Sequence, residues 1–228
     1  MLSSLLLLLS SSAHADEATV GPLFAPDGPG PFRWRAGIGT LLDLVPKRIV
    51  ETNDYDTPQL MLTARLGLPY GFSADLRANT LFVSNRLELG AAWAYTRGRF
   101  SVGVLDHQGV ANSSYELDDA TAVTWGLVNE PGLSVGVALS NVHLSLTAEA
   151  IIVFEQHTKA NGGNVLRRDG AQIGGTSIMF MGEEAFSFGL LYAGAGMMRT
   201  VPDYLAWFPY DDPRARITYP RVMAGYAF

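Results

Sequence analysis

The fold is decided by residues 32–44, which read FRWRAGIGTLLDL. The even positions of this stretch are apolar apart from Thr40, whereas the odd positions include Arg33, Arg35 and Asp43. Successive side chains of a β-strand point to opposite faces. The stretch therefore predicts a strand with one apolar face and one charged face.

The same alternation recurs in residues 59–68, 72–83, 86–96 and 142–155. Across the five stretches, the 30 positions of the apolar face carry no charged residue, and the 30 positions of the opposite face carry ten. Two architectures use such strands. In a two-sheet sandwich the apolar face is the core, whereas in a transmembrane barrel it meets lipid and the polar face lines the lumen.

The connections and the aromatic residues favour the barrel. Short connections near 69–71, 97–99, 129–132 and 182–184 alternate with longer polar ones near 45–58, 108–118, 156–170 and 200–214. This alternation is typical of the periplasmic turns and outer loops of membrane barrels. Aromatic residues collect beside the short connections, as in an interfacial girdle, and include Trp34, Phe72, Trp93, Phe100 and Phe188. We therefore predict an all-β, transmembrane, antiparallel up-and-down barrel.

The strand number follows from parity, because both termini of such a barrel lie on the periplasmic side. The pattern predicts ten strands, with eight to twelve open: 32–44, 59–69, 71–83, 86–96, 98–107, 119–129, 132–155, 171–181, 185–199 and 215–228. Residues 132–155 are too long for one crossing, and their apolar face changes parity at Ser140 and Asn141. Either a bulge or a tight turn there explains the change.

The N-terminus predicts export. A run of leucines from Leu5 to Leu9 precedes Ala13-His14-Ala15, the small-x-small pattern of a signal-peptidase site. We expect residues 1–15 to be a signal peptide. Residues 16–31 hold four prolines and three glycines, and we expect an extended periplasmic segment with no packed element. Residues 32–228 then form the barrel.

Composition excludes several classes of protein. The net charge of −6 argues against a nucleic-acid partner, and the absence of cysteine argues against disulfide or Cys-ligated zinc folds. No apolar run reaches the ~18 residues of a transmembrane helix. We find no phosphate-binding, dinucleotide-binding or zinc-protease motif, so we expect no cofactor and no metal.

The C-terminal stretch Val222-Met-Ala-Gly-Tyr-Ala-Phe228 ends on an aromatic residue behind alternating apolar positions. With the leader and the amphipathic strands, it resembles the outer-membrane β-barrel class of Gram-negative bacteria. The resemblance implies an outer-membrane location, contact with membrane lipids and lipopolysaccharide, and recognition by the outer-membrane assembly machinery through Val222, Ala224, Tyr226 and Phe228. The class has glycine where Met223 stands, and Pro220 interrupts the predicted strand.

The polar faces predict what fills the lumen. We expect twelve residues to point inward: Arg33, Arg35, Arg65, Asp75, Arg77, Arg86, Glu88, Arg99, His143, Glu149, Arg199 and Arg221. A barrel of about ten strands has a narrow interior. The inward charges are compatible with two hypotheses. One is a structural barrel filled by ion pairs, and the other is a narrow channel for small solutes with an arginine-rich wall. The leading hypothesis is accordingly a non-enzymatic barrel that conducts solutes or presents its outer loops.

Two alternatives remain. His143, Ser145 and Glu149 share one strand face, and the His-x-Ser pair resembles that of outer-membrane lipid A deacylases, which implies a lipopolysaccharide-modifying hydrolase. In those enzymes the pair faces outward and asparagine follows the serine, whereas here we predict a lumen-facing pair followed by Leu146. The other alternative is adhesion or partner binding through loops 45–58 and 200–214.

Overall fold

The computed structural model describes residues 21–44, 58–81, 84–117, 120–160, 163–200 and 216–228. Within these ranges it contains ten strands and a short 3₁₀ turn at Pro69–Gly71. The strands are β1 (Trp34–Asp43), β2 (Gln59–Gly67), β3 (Phe72–Leu81), β4 (Ser84–Arg97), β5 (Phe100–Leu117), β6 (Ala120–Leu139), β7 (Val142–Ala160), β8 (Gly163–Phe186), β9 (Gly189–Thr200) and β10 (Ile217–Ala227).

Every strand pairs antiparallel with its neighbours in sequence, and β1 pairs with β10. The sheet is therefore a closed up-and-down barrel, and the predicted all-β architecture with ten strands is confirmed. The seam between β1 and β10 runs from the pair Gly37 and Ala227 to the pair Asp43 and Arg221. No helix among the described residues is long and apolar enough to cross a membrane.

Two of the predicted turns are wrong. Residues 129–132 lie inside β6, and the chain turns instead at Ser140, which divides 132–155 between β6 and β7. The pairing of β6 with β7 passes from Asn129↔Ile152 directly to Gly132↔Glu149. Pro131 therefore lies where the β6–β7 ladder is interrupted. A strand tolerates proline at such a position, because no ladder hydrogen bond needs its missing N–H.

The second error concerns residues 182–184, which belong to β8 and precede the turn after Phe186. Several strands are also longer than predicted, since β5 continues to Leu117 and β8 begins at Gly163. Residues 108–117 and 163–170 are thus paired strand rather than loop. Pro220 does not end β10, because it pairs opposite Met197.

The turn at Ser140 provides a first prediction. Its φ of 58° lies in the left-handed region, which is unfavourable for a residue with a Cβ atom. We expect Ser140→Gly to raise the free energy of unfolding by about 0.5–1 kcal/mol, after the greater chain entropy of glycine is counted. Urea titration of the refolded barrel measures this free energy of unfolding. Ser140→Ala keeps the strained φ and should not raise the free energy of unfolding. Equal increases in both variants would show that the stabilisation comes from removing the hydroxyl.

The distribution of polarity is the reverse of that in a water-soluble domain. Among the described residues, 34 large apolar side chains are exposed, whereas only 17 apolar residues are buried. The buried positions also hold charged residues, including Arg65, Glu88, Glu130 and Glu183. The charged strand faces therefore point inward and the apolar faces point outward, so the functional groups must be sought in the interior.

Candidate functional site in the barrel interior

The end of the barrel that carries the short turns is closed by residues 21–30, named here the plug segment. The carboxylate of Glu183 on β8 accepts hydrogen bonds from three consecutive backbone N–H groups of this segment. The distances are 2.6 Å to the nitrogen of Leu23, 3.1 Å to that of Phe24 and 2.8 Å to that of Ala25. One buried carboxylate thus satisfies the donors of a bent backbone that has no strand partner.

The opposite wall holds the carbonyl groups of the same segment. The guanidinium of Arg65 on β2 donates to the carbonyl oxygens of Leu23 at 3.2 Å and Ala25 at 2.7 Å. Arg35 on β1 donates from Nε to the carbonyl oxygen of Gly21 at 2.9 Å. Nδ1 of His143 lies 3.5 Å from a carboxylate oxygen of Asp27. Polar side chains from four strands therefore surround the plug segment.

Apolar packing completes this closure. Leu23 belongs to a buried cluster with Met61, Met179, Met181, Leu190, Tyr192 and Ala227. The ring of Phe24 packs edge-on against that of Tyr192, with centroids 4.9 Å apart. The sequence predicted an extended segment outside any packed element for residues 16–31, and the structure differs over 21–30. The prolines and glycines form bends and a turn here instead of an extended chain, and Glu183 and Arg65 supply the hydrogen bonds that allow this backbone to be buried.

A belt of charged residues crosses the middle of the lumen. Arg77 on β3 and Glu149 on β7 form an ion pair of 2.9 Å between strands that are not neighbours. Arg86 pairs with Glu88 and Glu130, and Arg65 lies 3.1 Å from Asp75. These three arginines and four carboxylates span the interior.

His107 is the most enclosed member of this belt. Its side chain is 1% exposed, with Nε2 3.8 Å from Asp75 and Nδ1 3.9 Å from Glu149. Neither ring nitrogen has a hydrogen-bond partner among the described residues. A cavity of about 110 Å³ extends from the plug segment past the belt, and its walls include Phe24, Met61, Arg77, His107, Glu149 and Met198.

Towards the end of the barrel that carries the long connections, the interior holds apolar side chains beside buried Thr124, Gln156 and Thr158. A buried cluster there consists of Ala111, Val128, Ile151, Val153, Met198, Ile217 and Tyr219. Beside it, Arg221 forms a two-pronged ion pair with Asp43, with distances of 2.6 and 2.8 Å. The interior therefore has three successive layers, the plug segment, the charged belt and this apolar layer.

The structure places nine of the twelve expected lumen residues on the inner face: Arg35, Arg65, Asp75, Arg77, Arg86, Glu88, His143, Glu149 and Arg221. The other three differ. Arg33 and Arg99 are exposed beyond the strand ends, and Arg199 is exposed on the outer face of β9. Both faces of β9 are largely apolar, with Leu190 and Tyr192 inside and Leu191 and Met197 outside, so alternation alone left its parity undecided.

Sequence reasoning missed four inward groups, Asp43, His107, Glu130 and Glu183. The signal was present for Asp43, which shares the charged face of β1, whereas the misplaced turns hid Glu130 and Glu183. With these carboxylates included, Arg65, Arg77, Arg86 and Arg221 each contact an acidic partner. Four of the five inward arginines are therefore neutralised by ion pairing, and Arg35 donates to the carbonyl oxygen of Gly21.

The possible catalytic group does not assemble. His143 faces Asp27, and Glu149 contacts Arg77 and, at 3.4 Å, the hydroxyl of Ser177. The hydroxyl of Ser145 is buried and has no hydrogen-bond partner among the residues described. The three residues lie two and four positions apart along one extended strand, which separates their side chains by one and two strand repeats of about 7 Å.

Within the described ranges, no three His, Asp or Glu side chains are arranged to hold a metal ion. No protein-family model matches the chain, and no curated protein is significantly similar to it. The two loops considered for partner binding fall almost entirely outside the described residues, as does the predicted signal peptide. The interior and the outer face of the barrel therefore carry the functional argument.

Proposed function

We propose that this protein is an integral outer-membrane β-barrel that is non-enzymatic, closed by its own interior, and built to present its outer loops. The observation that carries the proposal is the reversed polarity of the barrel. Its outer face exposes large apolar side chains on every side, for example Leu62 on β2, Leu89 on β4 and Phe180 on β8. In water such a surface would aggregate, whereas in a bilayer it is the contact surface with lipid.

The order of residues along the outer face supports a bilayer in particular. Exposed aromatic rings gather at the short-turn end, where Trp34 contacts Phe228 and Phe188 stacks on Phe186, with centroids 6.4 and 5.4 Å apart. Apolar side chains follow. Near the loop ends comes a cross-strand row of five residues, Thr80, Asn85, Asn112, Trp125 and His157. Aromatic, apolar and polar bands in this order match one interface, the hydrocarbon and the other interface.

The filled interior supports the closed form of the proposal. A solute would have to displace the plug segment, the Arg77–Glu149 ion pair and the apolar layer in turn. The cavity of about 110 Å³ favours a second candidate, a narrow channel that conducts when the plug segment leaves. Insertion would follow recognition of Val222, Ala224, Tyr226 and Phe228 by the assembly machinery, with membrane lipid and lipopolysaccharide as the surrounding partners.

A depth-dependent substitution series tests membrane insertion. Leu62 and Leu89 are exposed outward in the middle of the apolar band. We expect Leu62→Arg or Leu89→Arg to destabilise the barrel folded in phosphatidylcholine vesicles by about 2–4 kcal/mol, because the cation would face hydrocarbon. Urea titration of folding in the vesicles measures it.

The matched control is Asn85→Arg, at the polar end of the outer face, for which we expect a loss of about 1 kcal/mol or less. A water-soluble barrel would tolerate an exposed arginine equally at all three sites, and that result would overturn the proposal. Planar-bilayer recording separates the two candidates. The closed barrel predicts no steady conductance from the full chain, and discrete open steps would favour the channel.

A further inference from the structure

A charged residue in the middle of the apolar outer face needs an explanation. Asp106 on β5 is exposed and points outward, between Val104 and Gln108 on the same face. It is six positions from Phe100 at the aromatic end, which is about 15 Å along the barrel axis at a strand tilt of about 40°. The apolar band of a membrane barrel is about 25 Å tall. Asp106 therefore lies near its middle.

The barrel itself satisfies only part of this carboxylate. The side-chain amide of Asn129 on β6 donates to Oδ1 of Asp106 at 2.5 Å and to the carbonyl oxygen of His107 at 3.3 Å. Among the described residues, no other group binds Asp106. Its second oxygen thus remains an acceptor at a depth where water is scarce, and groups of this kind in membranes are costly unless a partner covers them.

The surroundings of Asp106 are shaped for close contact. Ala91 lies directly opposite it on β4, and Ala148 and Ala150 face outward on the far side of Pro131. Small side chains allow another backbone to approach, and buried polar groups then bind across the contact. Gln108 stands two positions from Asp106 on the same face and is exposed. The surface thus offers a donor beside an unsatisfied acceptor.

We propose that the outward surface centred on Asp106, with Ala91, Gln108 and Ala148, is the interface through which two copies of this barrel associate in the membrane. A two-fold axis along the membrane normal brings the same surface of both copies together at the same depth. The Gln108 amide of each copy then donates to the Asp106 carboxylate of the other. Self-complementarity of donor and acceptor selects a second copy over lipid tails, which have nothing to donate.

The proposal rests on the proposed membrane insertion, and the absence of cysteine makes the test direct. Single-cysteine variants Ala91→Cys and Val104→Cys of the full chain are treated in isolated outer membranes with a short bis-maleimide. We expect a crosslinked dimer from both. The control is Ala195→Cys, an exposed outward alanine on β9 across the barrel, for which we expect a monomer.

Asp106→Leu in the Ala91→Cys background should lower the crosslinked fraction, because both symmetric hydrogen bonds are lost and the dissociation constant rises by about tenfold to 100-fold. Retained resistance of the barrel to unfolding in cold detergent shows that this variant is folded. An inserted chain that stays monomeric, or that crosslinks equally at Ala195→Cys, overturns the interface alone. A chain recovered from the aqueous fraction instead contradicts the proposed membrane insertion.

Discussion

Glu183→Gln should release the plug segment from the barrel. The amide keeps one acceptor oxygen, loses the charge, and turns an N–H group towards the donors of Leu23, Phe24 and Ala25. Hydrogen bonds to a charged group contribute about 1.5–3 kcal/mol each, so losing the equivalent of one or two shifts the docking equilibrium by about 100-fold. In an otherwise cysteine-free chain, Ala25→Cys reports docking, because Ala25 is only 1% exposed.

The measurement is the labelling rate of this cysteine by a water-soluble maleimide, which we expect to rise about 100-fold in the Glu183→Gln variant. The neighbouring Glu184→Gln is the matched control, since that carboxylate is exposed on the outer face and contacts Asn141. It should leave the labelling rate unchanged. Slow labelling in both variants would mean that packing against Tyr192 and the methionines holds the segment without Glu183.

Arg221→Met should weaken the seam at which the barrel closes. Arg221 and Asp43 are the last pair of the β1–β10 ladder, and the side chain of Asp43 is only 5% exposed. Removing the guanidinium leaves a buried carboxylate without its partner, which costs about 3–5 kcal/mol. The free energy of unfolding, measured by urea titration in phosphatidylcholine vesicles, should fall by that amount.

Two comparisons isolate this effect. The double variant Asp43→Leu with Arg221→Met should regain most of the loss, because two apolar side chains suit the adjoining apolar layer. Arg199→Met removes an arginine from the outer face of the neighbouring β9 and should change stability by about 1 kcal/mol or less, as expected near an interface. A loss that is equal for Arg199→Met and Arg221→Met would refute a specific role for the seam pair.

The strand faces show how far sequence reasoning reaches. Alternation predicted the inward direction of Arg65, Asp75 and Arg77, because charge on one face and apolar residues on the other leave one orientation. It failed for Arg199, since β9 is largely apolar on both faces. It also failed at Pro131, where proline predicted a turn but the interrupted ladder accommodates it within β6.

The interior shows the limit of sequence reasoning more clearly. Strand periodicity marks which side chains enter the lumen, but the pairing of Arg77 with Glu149 joins strands on different walls. Such a pair depends on barrel diameter and stagger, which follow from the register of all ten strands. His107 could be assigned to the belt only once β5 was seen to continue past the predicted strand end.

By itself the sequence determined the β-class and the two-faced character of most strands, because both follow from a period of two that those strands carry locally. Only the tertiary structure decided that residues 21–30 close the lumen and that most of its arginines are neutralised. Glu183 and Leu23 are 160 residues apart and Arg221 and Asp43 are 178 residues apart, and no local pattern records contacts over such separations.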